Sequence, residues 1–369
     1  SAPVLGSFAI RAALERSGVL AENVDEVLMG CVLPAGMGQA PARQASLGAG
    51  IPVAADCTTV NKMCGSGMKT TMLAHDLLLA ETNEIMVAGG MESMTNTPYI
   101  LQKARTGQRL GHGQMTDHMF LDGLEDAFDK GTLMGVFAER TAKKYGFSRE
   151  AQDEFAIRSL TRAKKAIEDG SFKNEVTPVS YKNRKEETLV ELDEQPLTAN
   201  IDKIPNLRPA FEKDGTVTAA NSSSISDGAA ALVMMRESTA KKSGFKPIAR
   251  FLGHSSFAQA PEWFTTAPVG AIKGVLKTVD WNVDDVELFE INEAFAVVTM
   301  AAMNDLGLPA EKVNVHGGAC ALGHPVGASG TRILVTLISA LQKYGKTRGV
   351  ASLCIGGGEA TAMAVEVLS

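Results

Sequence analysis

The chain repeats itself, and that repeat restricts its fold more than any other feature. NVDEVLMGCV (residues 23–32) is echoed by NVDDVELFEI (282–291). Forty residues separate Val24 from Cys64, and forty-one separate Val283 from His324. Each copy continues with a Gly/Ser turn (CGSG at 64–67, GASG at 327–330), a helix-patterned segment and a strand ending in glycines (VAGG, CIGGG). Two readings fit: chance likeness of two α/β segments, or a duplicated βαβ-type unit, which implies two similar halves packed together with the matching turns brought face to face.

The elements agree. The first part reads as helix 5–18, strand 24–32, helix 41–50, strand 58–63, helix 67–80 and strand 84–90. The last part reads as helix 270–279, a strand within 282–291, helix 293–306, strand KVNVHGG (312–318), helix 330–343, strand 349–358 and a final strand ATAMAVEVL. Strands alternating with helices predict a layered, largely parallel α/β fold. Residues 95–220 break the pattern with more charge and several Pro and Gly. They predict a helix pair over 133–169, the second helix opening at Ser148, then short strands at VTPVSY and ETLVEL. An insertion between halves often covers a site.

Composition removes several function classes. A net charge of −6 argues against general nucleic-acid binding. No apolar run reaches the roughly 18 residues that span a bilayer. The five cysteines, 31, 57, 64, 320 and 354, lack CxxC spacing, and the six histidines do not cluster with them in sequence. Reduced thiols in a cytoplasmic setting fit better than disulfides, and no metal site is expected. The opening SAPVLGSFAIRAALERSG already has a helical pattern, so residues are expected to precede Ser1.

Three turns carry candidate chemistry. Cys64 stands at a strand-to-helix turn, where α/β folds place ligands and where a helix dipole favours a thiolate. Gly65 and Gly67 leave room for a substrate; a buried structural cysteine fits the same local context. His324, in GHPVGASG, is either a proton acceptor and hydrogen-bond donor or a surface turn histidine. CIGGGEA exposes backbone N–H groups for an oxyanion hole or anion nest, with Cys354 as a candidate acid/base. A nucleotide-phosphate loop is the rival, but the glycine spacing and downstream acid that such loops use are absent. In INEAFA, Asn292 is a helix cap or a water-positioning amide. TAANSSSISDGAAALVMM (218–235) is a linker or a ligand-binding loop.

Taken in order, NKMCGSG, VAGGMESM, NEAFA, GHPVGASG and CIGGG resemble the thiolase family, and the resemblance covers essentially the whole chain. It implies a five-layered αβαβα fold of two βαβαβαββ halves with an inserted loop domain. The divisions would be 1–94 plus 221–243, 95–220 (CoA binding and oligomerisation) and 244–369, in a cytoplasmic homotetramer. The substrates would be acetyl-CoA and 3-oxoacyl-CoA, with no cofactor or metal beyond the CoA thioesters.

By the same resemblance, Cys64 accepts the acyl group. His324 activates it and shares an oxyanion hole with a water held by Asn292. Cys354 is the general acid/base, and the N–H groups of Cys64 and Gly356 form a second oxyanion hole. Ser223, Ala219, Phe211, Ala294, Phe295, Leu124, Leu133, Met134 and Phe264 would contact substrate or CoA. The implied reaction is reversible Claisen condensation of two acetyl-CoA, or thiolysis of short 3-oxoacyl-CoA. The alternatives are a broader-range 3-ketoacyl-CoA thiolase of fatty-acid β-oxidation, or another condensing enzyme of the superfamily. A thiolase-like lipid carrier without turnover is a rival of another class.

Four features depart from the family pattern. The first strand and an RTP-containing loop are missing. Leu133-Met134 stands where biosynthetic members have His-Met. FTTAP places Phe264 where a methionine is usual. A basic residue often found near the CoA adenine has no match around Pro196.

Overall fold

The computed structural model describes residues 1–182 and 187–368. The first part runs α1 (Ala2–Ser17), β1 (Glu26–Gly30), α2 (Pro41–Gly48), β2 (Asp56–Val60), α3 (Ser66–Leu79) and β3 (Ile85–Ser93). The middle part holds β4 (Tyr99–Ile100), β5 (Thr116–Asp117), α4 (Met134–Tyr145), α5 (Arg149–Glu168), β6 (Val179–Lys182), β7 (Glu187–Val190) and α6 (Glu194–Thr198). There follow β8 (Asp227–Met235), α7 (Glu237–Ser243), β9 (Ala249–Ala258), α8 (Ala267–Thr278), β10 (Leu288–Ile291) and α9 (Ala296–Leu306). The chain closes with α10 (Ala319–Leu322), α11 (Ser329–Lys343), β11 (Arg348–Ile355) and β12 (Glu359–Val367).

Two four-stranded sheets result, ordered β2-β1-β3-β8 and β10-β11-β12-β9. β1 pairs in parallel with β2 and β3, and β8 closes that sheet antiparallel to β3. In the second sheet β10 and β11 are parallel, and β12 runs antiparallel to both β11 and β9.

Alternate strand residues face opposite layers. Val27 and Met29 pack under Ile10, Leu14 and Ala45 of α1 and α2, whereas Leu28 turns to Ala74 and Leu78 of α3. Between the sheets, Met68 and Met72 of α3 join Leu334, Leu337 and Leu341 of α11 over Leu353 and Met363. On the far face, Ile272 and Val275 of α8 cover Phe289, Ile291 and Val350. These are the five layers αβαβα. Both sheet faces are covered, so β3 is buried along its whole length. Each fully buried Ile, Leu or Met contributes about 1.5–3 kcal/mol.

Two expectations shift and one holds. The strand expected at 312–318 shrinks to one bridge, Val313 to Phe289. Asn314 turns into the left-handed region (φ 48), and its side chain bonds both the N–H and the C=O of Ile291 at 2.8 Å. One side chain thus does what the next ladder rungs would do. The helix expected from 293 starts at Ala296, because Ala296 donates its N–H out to Asn221 O (2.8 Å). The helix pair over 133–169 is present, and Ser148 caps α5 by accepting from Ala151 N–H (3.2 Å).

Candidate active site

The turn between β2 and α3 is a tight elbow. Met63 sits at φ 48, a left-handed conformation that costs a residue with a Cβ about 1–2 kcal/mol. Local bonds hold it: Gly65 N–H to Lys62 O (3.0 Å), and Ser66 Oγ donating to Met63 O (2.6 Å) while accepting from Lys62 N–H (2.8 Å). Lys62 also pairs with Glu359 at 2.6 Å, anchoring the elbow to the glycine turn of the second half. At position 65 a Cβ would press on the Ile355 side chain, which would have to move aside. The elbow presents Cys64, half-buried, in an apolar cluster with Leu33, Met94, Leu124 and Val326.

The second thiol comes from β11. Cys354 is fully buried, and after Ile355 the strand ends in a turn in which Gly357 and Gly358 take φ near 93° and 94°. Residues with a Cβ rarely reach that conformation. The turn places Gly356 two residues after Cys354 and is tied to the Cys64 elbow through the Lys62–Glu359 pair. Burial raises the Cys64 pKa to about 11, while hydrogen bonds from Gly356 N–H and its own N–H pull it down. Burial, then the charge on Cys64, push Cys354 well above the ordinary thiol value.

His324 stands on the loop before α11. Its Nδ1 lies 2.5 Å from Ser329 Oγ, and that hydroxyl also reaches Pro325 O at 3.0 Å. Burial, and then the Arg332 charge, lower its pKa to about 3, so the ring is neutral. Asn292 Nδ2 sits 3.5 Å from both ring nitrogens. Its buried Oδ1 has no hydrogen-bond partner among the described residues.

The expected acyl and CoA contacts sort into groups. Met134, Phe211, Phe264, Ala294 and Phe295 gather in one cluster against Cys354. Phe264 stands edge-on to Phe137, and Phe211 edge-on to Phe295. Leu124 joins Cys64 instead. Leu133 lies outside both clusters, in a bridge to Glu125 at the start of α4. Ser223 donates its N–H to Ala294 O (3.0 Å), and Ser224 O accepts from His324 N–H (3.2 Å). The Ser-rich stretch therefore stitches the Asn292 turn to the His324 loop, which favours the ligand-loop reading over the linker. Ala219 lines a separate cleft of about 260 Å³ with Leu160, Gln195, Lys203, Ile204 and Cys320.

Two residues escaped the sequence reading. Glu92 is buried, and its carboxylate accepts from Val32 N–H (2.9 Å), Leu33 N–H (3.2 Å) and Gly327 N–H (3.0 Å). A single acid closing the apolar run IMVAGGM is the signal that could have found it. Ser329, hidden in the GASG turn, positions the histidine.

Comparison with known proteins matches two family models, the thiolase N-terminal domain over residues 1–238 and the thiolase C-terminal domain over 245–367. The chain is 48% identical to the acetyl-CoA acetyltransferase of Escherichia coli K12 over 100% of its own length and 94% of the relative's. It is 47% identical to that of Thiocystis violacea, over 99% and 93%. Its fold is similar to a crystal structure of the Bacillus anthracis acetyl-CoA acetyltransferase (TM-score 0.96, 41% identity, 100% and 93% covered). It is also similar to an Ascaris suum thiolase in complex with coenzyme A (TM-score 0.93, 40% identity, 100% and 94% covered).

Proposed function

This chain belongs to the thiolase family, and from that premise we propose that it is an acetyl-CoA C-acetyltransferase working through acyl-Cys64. The observation that carries the reading is the meeting of three turns: the Cys64 elbow packs against Val326 of the His324 loop, its Lys62 pairs with Glu359 of the glycine turn after Cys354, and buried His324 is held by Ser329 beside Asn292.

With a thiol near 11 and an imidazole near 3, the resting pair is neutral thiol and neutral imidazole. The Cys64 proton therefore leaves during attack on the thioester and not before it. If Ser329 donates to Pro325 O, it accepts from Nδ1–H and leaves Nε2 of His324 as the base. Cys354 gives its proton to the departing CoA thiolate. The resulting Cys354 thiolate removes a proton from the methyl of a second acetyl-CoA. The carbanion attacks the acyl carbon, and Cys64 leaves and recovers its proton from His324. The Cys64 and Gly356 N–H groups steady the acyl oxygen, while His324 and a water on Asn292 Oδ1 steady the enolate. Thiolysis is the reverse.

Phe264 biases the pocket toward short acyl chains, because it fills the cluster beside Cys354 with a rigid ring. Lys203 shares a cleft with Ala219, a cation beside the expected CoA path. Exposed apolar residues of the insertion, including Leu110, Met115 and Phe128, support its role in assembling a homotetramer, which light scattering would test. No helix among the described residues is long and apolar enough to cross a membrane.

The decisive experiment is mass spectrometry after adding acetyl-CoA. The protein should gain one acetyl group on Cys64. Cys64→Ser should gain none, whereas Cys354→Ser should acylate and then stall in both directions. An acetyl group on any other residue overturns the assignment. Relative rates with acetoacetyl-CoA and a longer 3-oxoacyl-CoA test the chain-length reading; equal rates count against it.

A further inference from the structure

Near the tail of α3, at the other end from Cys64, His75 and Asp76 meet His254 from the middle of β9. Asp76 Oδ1 lies 2.8 Å from His254 Nε2 and 3.4 Å from His75 Nδ1. The three ligand atoms all fall within 4.8 Å of one another, and the imidazoles meet edge-on with centroids 5.3 Å apart. Both histidines are mostly shielded, whereas the Asp76 side chain is about half exposed (53%). None of the three belongs to the thiol site.

Two imidazoles and a carboxylate form a borderline-soft donor set, suited to Zn²⁺ and its first-row neighbours more than to Mg²⁺ or Ca²⁺. Zinc takes such ligands at about 2.0–2.2 Å, and a cluster this compact converges on one ion with small side-chain rotations. The exposed side of Asp76 leaves room for a water to complete a tetrahedron. Two imidazole ligands and one carboxylate bring a single negative charge, which a divalent cation offsets. Linear spacing concealed the group, because 178 residues separate Asp76 from His254.

We propose that His75, Asp76 and His254 bind one divalent transition-metal ion, Zn²⁺ fitting best, and that the ion straps α3 of the first half to β9 of the second. The expectation of a chain without a metal site is thereby revised, on side chains remote from the chemistry. The strap is structural: it grips the tail of the helix that follows the Cys64 elbow, and it touches no substrate.

The test uses the full chain after chelator treatment. Zn²⁺ titration by calorimetry should show one saturable site, and Zn²⁺ should raise the melting temperature. His254→Ala and His75→Ala should each weaken binding by more than about tenfold, the scale already reached on losing an outer-shell partner. Both variants should keep the unmodified chain's circular dichroism, and either one alone decides the matter if the other fails to fold. Co²⁺ bound there should show d–d bands without thiolate charge transfer. Absent saturable binding, affinity unchanged in both variants, or a thiolate–cobalt band would each overturn the proposal.

Discussion

In the first half, the residue two places before α3 is Cys64; in the second, the residue two places before α11 is Gly327, and the functional side chain, His324, lies three residues further back. The serines that open the two helices, Ser66 and Ser329, occupy the same place but serve different masters. Ser66 holds the backbone of its own elbow, and Ser329 holds an imidazole. The literal echo is also out of register: β1 begins three residues after Asn23, but β10 begins six after Asn282. The duplicated quantity is thus the position of the helix start against the sheet. Where the helices meet, Thr331 Oγ1 donates to Gly67 O (2.7 Å), and Gly330 lies against Met68. Divergence collects in the few residues before each helix, where chemistry can change without moving a layer.

The contrast can be broken in graded ways. The largest effect is expected from Gly330→Ala, whose Cβ would strike the Met68 backbone of the other half. We expect a loss of about 3 kcal/mol by urea unfolding, against much less for Gly65→Ala, which meets only a movable Ile355 side chain. Ser329→Ala should leave the fold intact and slow acylation about a hundredfold in stopped flow, because His324 loses its anchor. Changing the same position of the first half, Ser66→Ala, should cost about 1 kcal/mol of stability. Asn314→Ala tests the shrunken third strand of the second half. Its amide makes buried bonds to Ile291 and Glu293, and its loss should cost about 2 kcal/mol.

The smallest effect concerns acid stability. His316 is buried with neither ring nitrogen partnered among the described residues, and burial lowers its pKa to about 4. Between its ordinary value of 6.5 and about 4, the unfolded chain binds a proton that the folded chain refuses. Its contribution is therefore complete above 6.5 and lost as pH falls through that window. His316→Phe, packed between Phe172 and Tyr344, should flatten the fall of the urea midpoint with acid.

Much of the layering was legible because strands such as IMVAGGMES are apolar along their length and the helices are patterned on one face. β9 was not legible: Arg250, His254, Ser255 and Ser256 interrupt its alternation, because it is an edge strand with half-exposed residues. Cys64, His324 and Cys354 were visible as reactive types at glycine turns. Glu92 was not, since its work is to receive backbone N–H groups brought in from distant turns. The triad of His75, Asp76 and His254 exists only once a helix of one half crosses a strand of the other.

Glu92 has one more consequence. Two of its hydrogen-bond donors come from the first half and the third, Gly327 N–H, from the second. If either half melted alone, a carboxylate would lose its partners while still shut away from water. A tandem duplication would ordinarily suggest two independently melting units. Here that shared acid couples them, so calorimetry should record a single cooperative transition whose van't Hoff and calorimetric enthalpies agree.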